Sequence, residues 1–204
     1  IGDEPMQLSI ENVDALENVV TYIETAVYTT LDEYTEAIAL LNEAIENFSI
    51  LNEPAQDKLY NIRHTSGLNL SCSNGATLEE IIDGDVEQCF TFRAVEREKN
   101  CYNIMNNGSY LSVYSLDNSM FMFSDTPYGE NGRFVVTQVG ENRFTLSSMV
   151  GFVGPKTADT GETIYPDVPA ENAIWTIVEV EDKVETDIAD YAYEQDIDYA
   201  LRYD

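Results

Sequence analysis

Basic residues are scarce in this chain of 204 residues: ten Lys and Arg stand against 38 Asp and Glu, a formal net charge of -28. The first 56 residues carry twelve acids and no Lys or Arg, residues 57–181 carry eighteen acids and eight bases, and residues 182–204 carry eight acids and two bases. Binding a phosphate backbone or an anionic lipid surface depends on cations that displace counterions. Nucleic acid and membrane are therefore not expected as partners. Histidine occurs once (His64) and cysteine three times (Cys72, Cys89, Cys101), with no C-x-x-C spacing. Neither a zinc site nor a dithiol redox centre is indicated, and the cysteines read as small buried hydrophobes with at most one disulfide. His64 lies in turn-rich sequence without an obvious nucleophile nearby and is expected at a surface turn. There is no G-x-S-x-G, phosphate loop or metal-binding helix, and Asp83-Gly84-Asp85 is too short a fragment of a calcium loop to count. The expectation is no catalytic residue, no metal and no cofactor. No run approaches the roughly 18 apolar residues that span a bilayer. No basic-then-apolar opening resembles a signal peptide. Since residue 1 is Ile, the expectation is a processed product or a piece of something longer.

What the sequence does contain is an internal repeat. The segments KLYNIRHTSGLNLSC, KNCYNIMNNGSYLSV and ENRFTLSSMVGFVGP align on an aromatic, an apolar residue two further on, a polar turn and a second apolar strand. Their leading aromatics, Tyr60, Tyr102 and Phe144, are spaced 42 residues apart both times. A second marker recurs out of phase: CFTFRAV, RFVVTQV and IWTIVEV, led by Phe90, Phe134 and Trp175 at spacings of 44 and 41. Both markers alternate apolar with polar residues, the pattern of a strand with one buried face. Short links such as residues 96–99 and 140–142 suit hairpins between units. Three units are too few for a typical propeller, and the helices of most solenoid repeats are missing.

These residues resemble the β-trefoil superfamily and, more narrowly, the ricin-B-type lectin modules often appended to secreted bacterial glycosidases and peptidases. The resemblance implies a mainly β fold: a β-trefoil over 57–181 made of three repeats of about 42 residues. In ricin-type units an Asp, an aromatic ring and the Asn of a closing N-Q-x-W motif hold the sugar, the ring stacking on its apolar face while Asp and Asn take hydroxyls. Here the Asp positions hold Ser71, Ser112 and Gly154; the Asn positions hold Glu87, Asn131 and Asn172; only Gln88 agrees at the Gln position. The closing aromatics Phe90, Phe134 and Trp175 head apolar strands and are expected in the core. Tyr128 and Tyr165 stand on Gly/Pro-rich stretches just before the two asparagines. The candidate carbohydrate-binding residues are thus Ser112, Tyr128, Asn131, Tyr165 and Asn172, in the second and third units. The first unit has no aromatic between Cys72 and Phe90 and reads as the least lectin-like.

Ahead of the repeat, apolar residues step by three and four from Val13 to Phe48, the signature of amphipathic helix. Thr30 with Glu33 reads as a capping box, so residues 1–52 are expected to form a helical hairpin with helices at about 12–28 and 30–48. The acidic tail 182–204 has helix-compatible spacing and is expected to pack on the N-terminal helices.

Two functions fit. One is a non-catalytic, lectin-like carbohydrate-binding module that takes a neutral glycan, belongs to a larger secreted or cell-surface bacterial protein and sits beside a catalytic domain of the same polypeptide. The other is a structural or protein-interaction module whose sugar sites have degenerated.

Overall fold

The computed structural model describes residue 2 and residues 5–73, 75–115 and 120–180. The tail 182–204, expected to be helical and to pack on the N-terminal helices, lies outside the described residues. Two compact units divide the chain, Ile1–Glu53 and Pro54–Asp204. No helix among the described residues is long and apolar enough to cross a membrane.

The first unit is a helical hairpin, α1 (Ile10–Thr25) and α2 (Leu31–Phe48). Helix α1 starts earlier than its apolar periodicity suggests because Ser9 caps it, its side chain accepting the Asn12 N–H at 3.1 Å. It also ends earlier, where Ala26 turns extended ahead of the β-branched Val27, Thr29 and Thr30. The expected capping box is present. Thr30 Oγ1 accepts the Glu33 N–H at 3.3 Å, while Glu33 Oε2 accepts the N–H groups of Thr29 and Thr30 at 2.7 and 2.9 Å. These backbone donors, Thr29 first, draw the Glu33 carboxyl down to about 2. The helices run antiparallel, because the strand bridge between Leu8 and Leu51 ties the start of α1 to the end of α2. Met6 N–H donates to the Asn52 carbonyl and Asn52 N–H to the Gln7 carbonyl, both at 2.8 Å.

Twelve strands make the second unit. They are β1 (Tyr60–His64), β2 (Asn69–Ser71), β3 (Thr77–Glu79), β4 (Thr91–Ala94), β5 (Cys101–Asn106) and β6 (Ser109–Ser115). Then come β7 (Met120–Ser124), β8 (Phe134–Gly140), β9 (Arg143–Ser147), β10 (Phe152–Pro155), β11 (Ile164–Val168) and β12 (Ile174–Glu179). Strands β4 and β5, β8 and β9, and β12 and β1 pair antiparallel, and β12 returning to β1 joins the last strand to the first. Hairpins β2–β3, β6–β7 and β10–β11 join this set through β2 paired with β1, β6 with β5 and β10 with β9. Asn107 and Gly108 adopt positive φ (46° and 77°) in the two-residue turn between β5 and β6, a backbone that asparagine and glycine accept at least cost.

The six marker aromatics meet in pairs: Tyr60 opposite Phe90, Tyr102 opposite Phe134, and Phe144 opposite Trp175. None is more than 2% exposed. Phe92 sits edge-on to both Tyr60 (5.7 Å) and Tyr102 (6.0 Å), so one ring joins two successive markers. Burying each such ring stabilises by about 2–3 kcal/mol.

His64 departs from its expected place at a surface turn. It ends β1, is 6% exposed, and lies edge-on to Trp175 at 5.1 Å, because β1 stays paired with β12 as far as His64 and Trp175. Its Nδ1 is paired with Ser66 Oγ at 2.9 Å. The three cysteines are free thiols, and burial pushes Cys72 up to about 12 and Cys101 to about 11.

Candidate functional site

In each of three places the residue three before a closing aromatic lies against the strand that carries the Asp-equivalent position. After β7, Tyr128 caps a single 3-10 turn, Gly129–Gly132, and its carbonyl accepts the Asn131 N–H at 3.1 Å. Asn131 Nδ2 donates to the Val113 carbonyl at 3.2 Å and so stitches this turn to β6. The Tyr128 ring, 60% exposed, stands free on the same turn. Ser112 precedes Val113 and is fully buried, with Gly132 seated on it so closely that a Cβ there would stand 3.0 Å from Ser112 Oγ. That hydroxyl has no hydrogen-bond partner among the described residues. Tyr128 and Asn131 therefore share one surface turn, and Ser112 lies beneath it, out of reach of a ligand held at the surface.

Tyr165 and Asn172 come together across the β10–β11 hairpin. Tyr165 pairs directly with Gly154, and Asn172 Nδ2 donates to the Lys156 carbonyl at 3.4 Å. Lys156 Nζ lies 3.8 Å from the centre of the Tyr165 ring. One face of that ring is thus covered by an ammonium, a contact worth about 0.5–1 kcal/mol at an exposed site, which a stacking ligand on that face has to displace. At Gly154 the Asn172 carbonyl oxygen fills the space that a side chain would need. Lys156 was not among the residues the sequence suggested, since nothing in the repeat pattern marks it.

Beside the β2–β3 hairpin lies a cleft of about 440 Å³ that the sequence reading passed over. Ser71, Ser73, Glu79, Glu80, Glu87 and Thr160 line it. Gln88, fully buried, shapes its floor: Nε2 donates to the Glu80 carbonyl at 2.8 Å, while Oε1 accepts from Asn69 Nδ2 at 2.9 Å and from the Ile82 N–H at 3.3 Å. Thr160 enters from the β10–β11 hairpin, which is tied to β3 by Leu78 N–H to the Glu162 carbonyl and Ile164 N–H to the Ala76 carbonyl, both 2.8 Å. The walls offer hydroxyls and carboxylates and no aromatic platform. Gln88, the single agreement with the closing motif's Gln, was the one signal that could have drawn attention to it.

No protein-family model matches the chain, and no curated protein matches its sequence. Solved structures do match. A BEL β-trefoil in an apo crystal form is 17% identical at a TM-score of 0.53, covering 63% of this chain and 97% of that one. The Polyporus squamosus lectin, bound to the human-type influenza-binding epitope Neu5Acα2-6Galβ1-4GlcNAc, is 15% identical at 0.51, covering 61% and 50%. A GH43 β-1,3-galactosidase is 14% identical at 0.55, covering 72% and 33%. The fold is a β-trefoil. Its match spans half of the lectin's length and a third of the galactosidase's. At these identities the likeness speaks for the trefoil architecture, and the surface residues have to be argued from their own chemistry.

Proposed function

We propose that the trefoil, as three repeats of about 42 residues, is a non-catalytic carbohydrate-binding module of a larger secreted bacterial protein. The observation that carries this reading is the exposed Tyr128 ring on the same turn as Asn131, on a fold that lectins share. A ring stacks on the apolar face of a pyranose while an amide takes its hydroxyls. The Asn131 amide retains its carbonyl oxygen and one N–H for that purpose, because only one N–H goes to Val113. A neutral glycan fits best, since residues 57–181 carry eighteen acids against eight bases and the cleft beside the β2–β3 hairpin presents carboxylates. The match to part of a galactosidase supports a place beside a catalytic domain of the same polypeptide.

Without an Asp at any of the three positions each site is weak, with dissociation constants near millimolar, about 4 kcal/mol of binding free energy. NMR titration with a panel of neutral saccharides tests the proposal. Tyr128→Ala and Tyr165→Ala should abolish the shifts at their own sites and leave the fold intact. Asn131→Ala and Asn172→Ala should weaken binding by about 0.5–1.5 kcal/mol each. Failure of every saccharide to bind, or binding indifferent to all four substitutions, would overturn it.

A second reading, a structural or protein-interaction module with degenerate sugar sites, is favoured by two observations. Ser112 is buried under Gly132, and Gly154 is packed against the Asn172 carbonyl, so neither Asp-equivalent position can present a ligating group.

A further inference from the structure

We infer that the open face of the helical hairpin docks a basic amphipathic helix of a partner protein. The inference rests on the first unit alone and is independent of the carbohydrate reading. Around α2, Ala37, Leu41, Ala44 and Phe48 are the sheltered apolar residues and turn toward α1, where Val13, Leu16 and Ile23 are sheltered likewise. The next stripe round α2 is also apolar and largely open: Leu31 (80% exposed), Ile38 (61%) and Ile45, with Tyr34 half exposed beside the Tyr28 ring at 5.1 Å. On α1 the corresponding edge holds Val20, 38% exposed. Because the two helices are antiparallel, advancing in the same rotational sense from their shared seam brings both edges to the same side of the hairpin. Together they form an apolar strip between two helices, the seat that a third helix takes in a bundle.

The rims of this strip decide what can lie in it. Beyond Val20 on α1 come Glu17 and Glu24; beyond the exposed stripe of α2 come Thr35 and Asn42 and then Glu46 and Asp32. No Lys or Arg occurs anywhere in the first 56 residues to offset them. A helix that buries Leu or Ile against Leu31, Ile38, Ile45 and Val20 therefore sets one flank beside Glu17 and Glu24 and the other beside Thr35, Asn42 and Glu46, with no base nearby in sequence, so Lys or Arg on that helix turns repulsion into attraction. The two occupants available from the chain itself meet the opposite charge balance. The tail 182–204 carries eight acids and two bases, and a second copy brings the same acidic rims. Helix α2 is 18 residues long, about 27 Å, so a partner helix of about five turns matches it.

The test titrates the full chain with a synthetic peptide of about 18 residues bearing Leu at i, i+3, i+4 and i+7 spacing and Lys elsewhere, read by isothermal calorimetry. Two control peptides replace the leucines by Ala or the lysines by Glu. One-to-one binding is expected for the Leu/Lys peptide, weakened by added salt, and both controls should bind at least about tenfold more weakly. Leu31→Gln and Ile38→Gln, at exposed positions where Gln keeps the helix and adds no charge, should each lower affinity about tenfold with unchanged far-UV circular dichroism. Equal binding of the Ala peptide, or of either variant, would reduce the effect to charge alone and overturn the proposal. Equal binding of the Glu peptide would overturn the charge argument. A dimer in sedimentation that Ile38→Gln dissolves would assign the strip to a second copy. A gain of about tenfold in peptide affinity on Ile197→Asp would assign it to the chain's own tail.

Discussion

Replacing Trp175 by Ala tests the core of the trefoil more sharply than any other single change. The ring is fully buried, stands opposite Phe144 on one side and His64 on the other, and donates its Nε1–H to the Val153 carbonyl at 2.8 Å. Truncation removes most of a buried aromatic, leaves a cavity between β1, β9 and β10, and strips the Val153 carbonyl of its donor. The first two effects cost about 3–5 kcal/mol, and an orphaned buried carbonyl adds about 1–3 kcal/mol. Trp175→Phe separates them: it keeps most of the apolar volume but loses the N–H, so about 1–3 kcal/mol should remain. Trp175 is the only tryptophan, so its fluorescence disappears with the substitution. Urea unfolding should instead be followed by near-ultraviolet circular dichroism of the tyrosines, which reports on the packed strands. A loss below about 1 kcal/mol for Trp175→Ala would place the ring outside the core and refute the pairing of Phe144 with Trp175 as a structural element.

Three further outcomes follow from the same geometry. Burial lowers the His64 pKa below its ordinary 6.5, so the unfolded chain takes up a proton first; stability should fall as pH drops through about 6.5 and level off below the folded-state pKa, and His64→Gln should flatten that part of the urea-midpoint profile. At the hairpin, Thr30→Ala should cost about 1 kcal/mol of helix stability. Because the Glu33 carboxyl is held down to about 2, the capping contribution should persist below pH 4.5 and disappear only as pH falls toward 2, a dependence that Glu33→Gln removes from the far-UV signal. Gly154→Ala should cost about 1–3 kcal/mol, since the new Cβ meets the backbone of Asn172 and Ala173, whereas Gly151→Ala should cost less because its nearest neighbour is the movable carboxylate of Asp167; equal midpoints for the two would refute this distinction.

The buried pairs were legible in the sequence because each aromatic heads an alternating strand and each marker recurs in the same order. Tyr60 and Phe90, Tyr102 and Phe134, and Phe144 and Trp175 then meet across strands as two markers of one unit. The hairpin was legible for a similar reason, its capping box being a four-residue pattern with a local mechanism. How much of its apolar face stays open was not. A period of three and four says that one side of a helix is apolar, but whether Ile38 or Leu41 meets a neighbour depends on the width of the seam, and among the described residues of this unit α1 is the one helix packed against α2. His64 was misplaced because the turn signal of Thr65, Ser66 and Gly67 begins one residue later than the local composition suggests; pairing with Trp175, more than a hundred residues away, holds His64 in the strand.

The candidate site divides along the same line between local and distant determinants. Tyr128 and Asn131 were found together because one turn holds both, and a turn is written in adjacent residues. Lys156 against Tyr165 needs the β10–β11 hairpin to fold before the ammonium reaches the ring, and the cleft beside β2 and β3 needs three separate stretches: the β2–β3 hairpin, the turn at residues 86–88 and Thr160. Gln88 shows why agreement with a motif is ambiguous at such a place. Its side-chain amide bonds to Asn69, Glu80 and Ile82, and a buried amide left without these partners would cost about 1–3 kcal/mol, so the fold alone accounts for glutamine there. The residue that matches the lectin motif best thus reports on how the loop over the cleft is anchored, and the proposed carbohydrate reading rests instead on the exposed Tyr128 ring and on the Asn131 amide, whose Nδ2 makes one hydrogen bond, to the Val113 carbonyl.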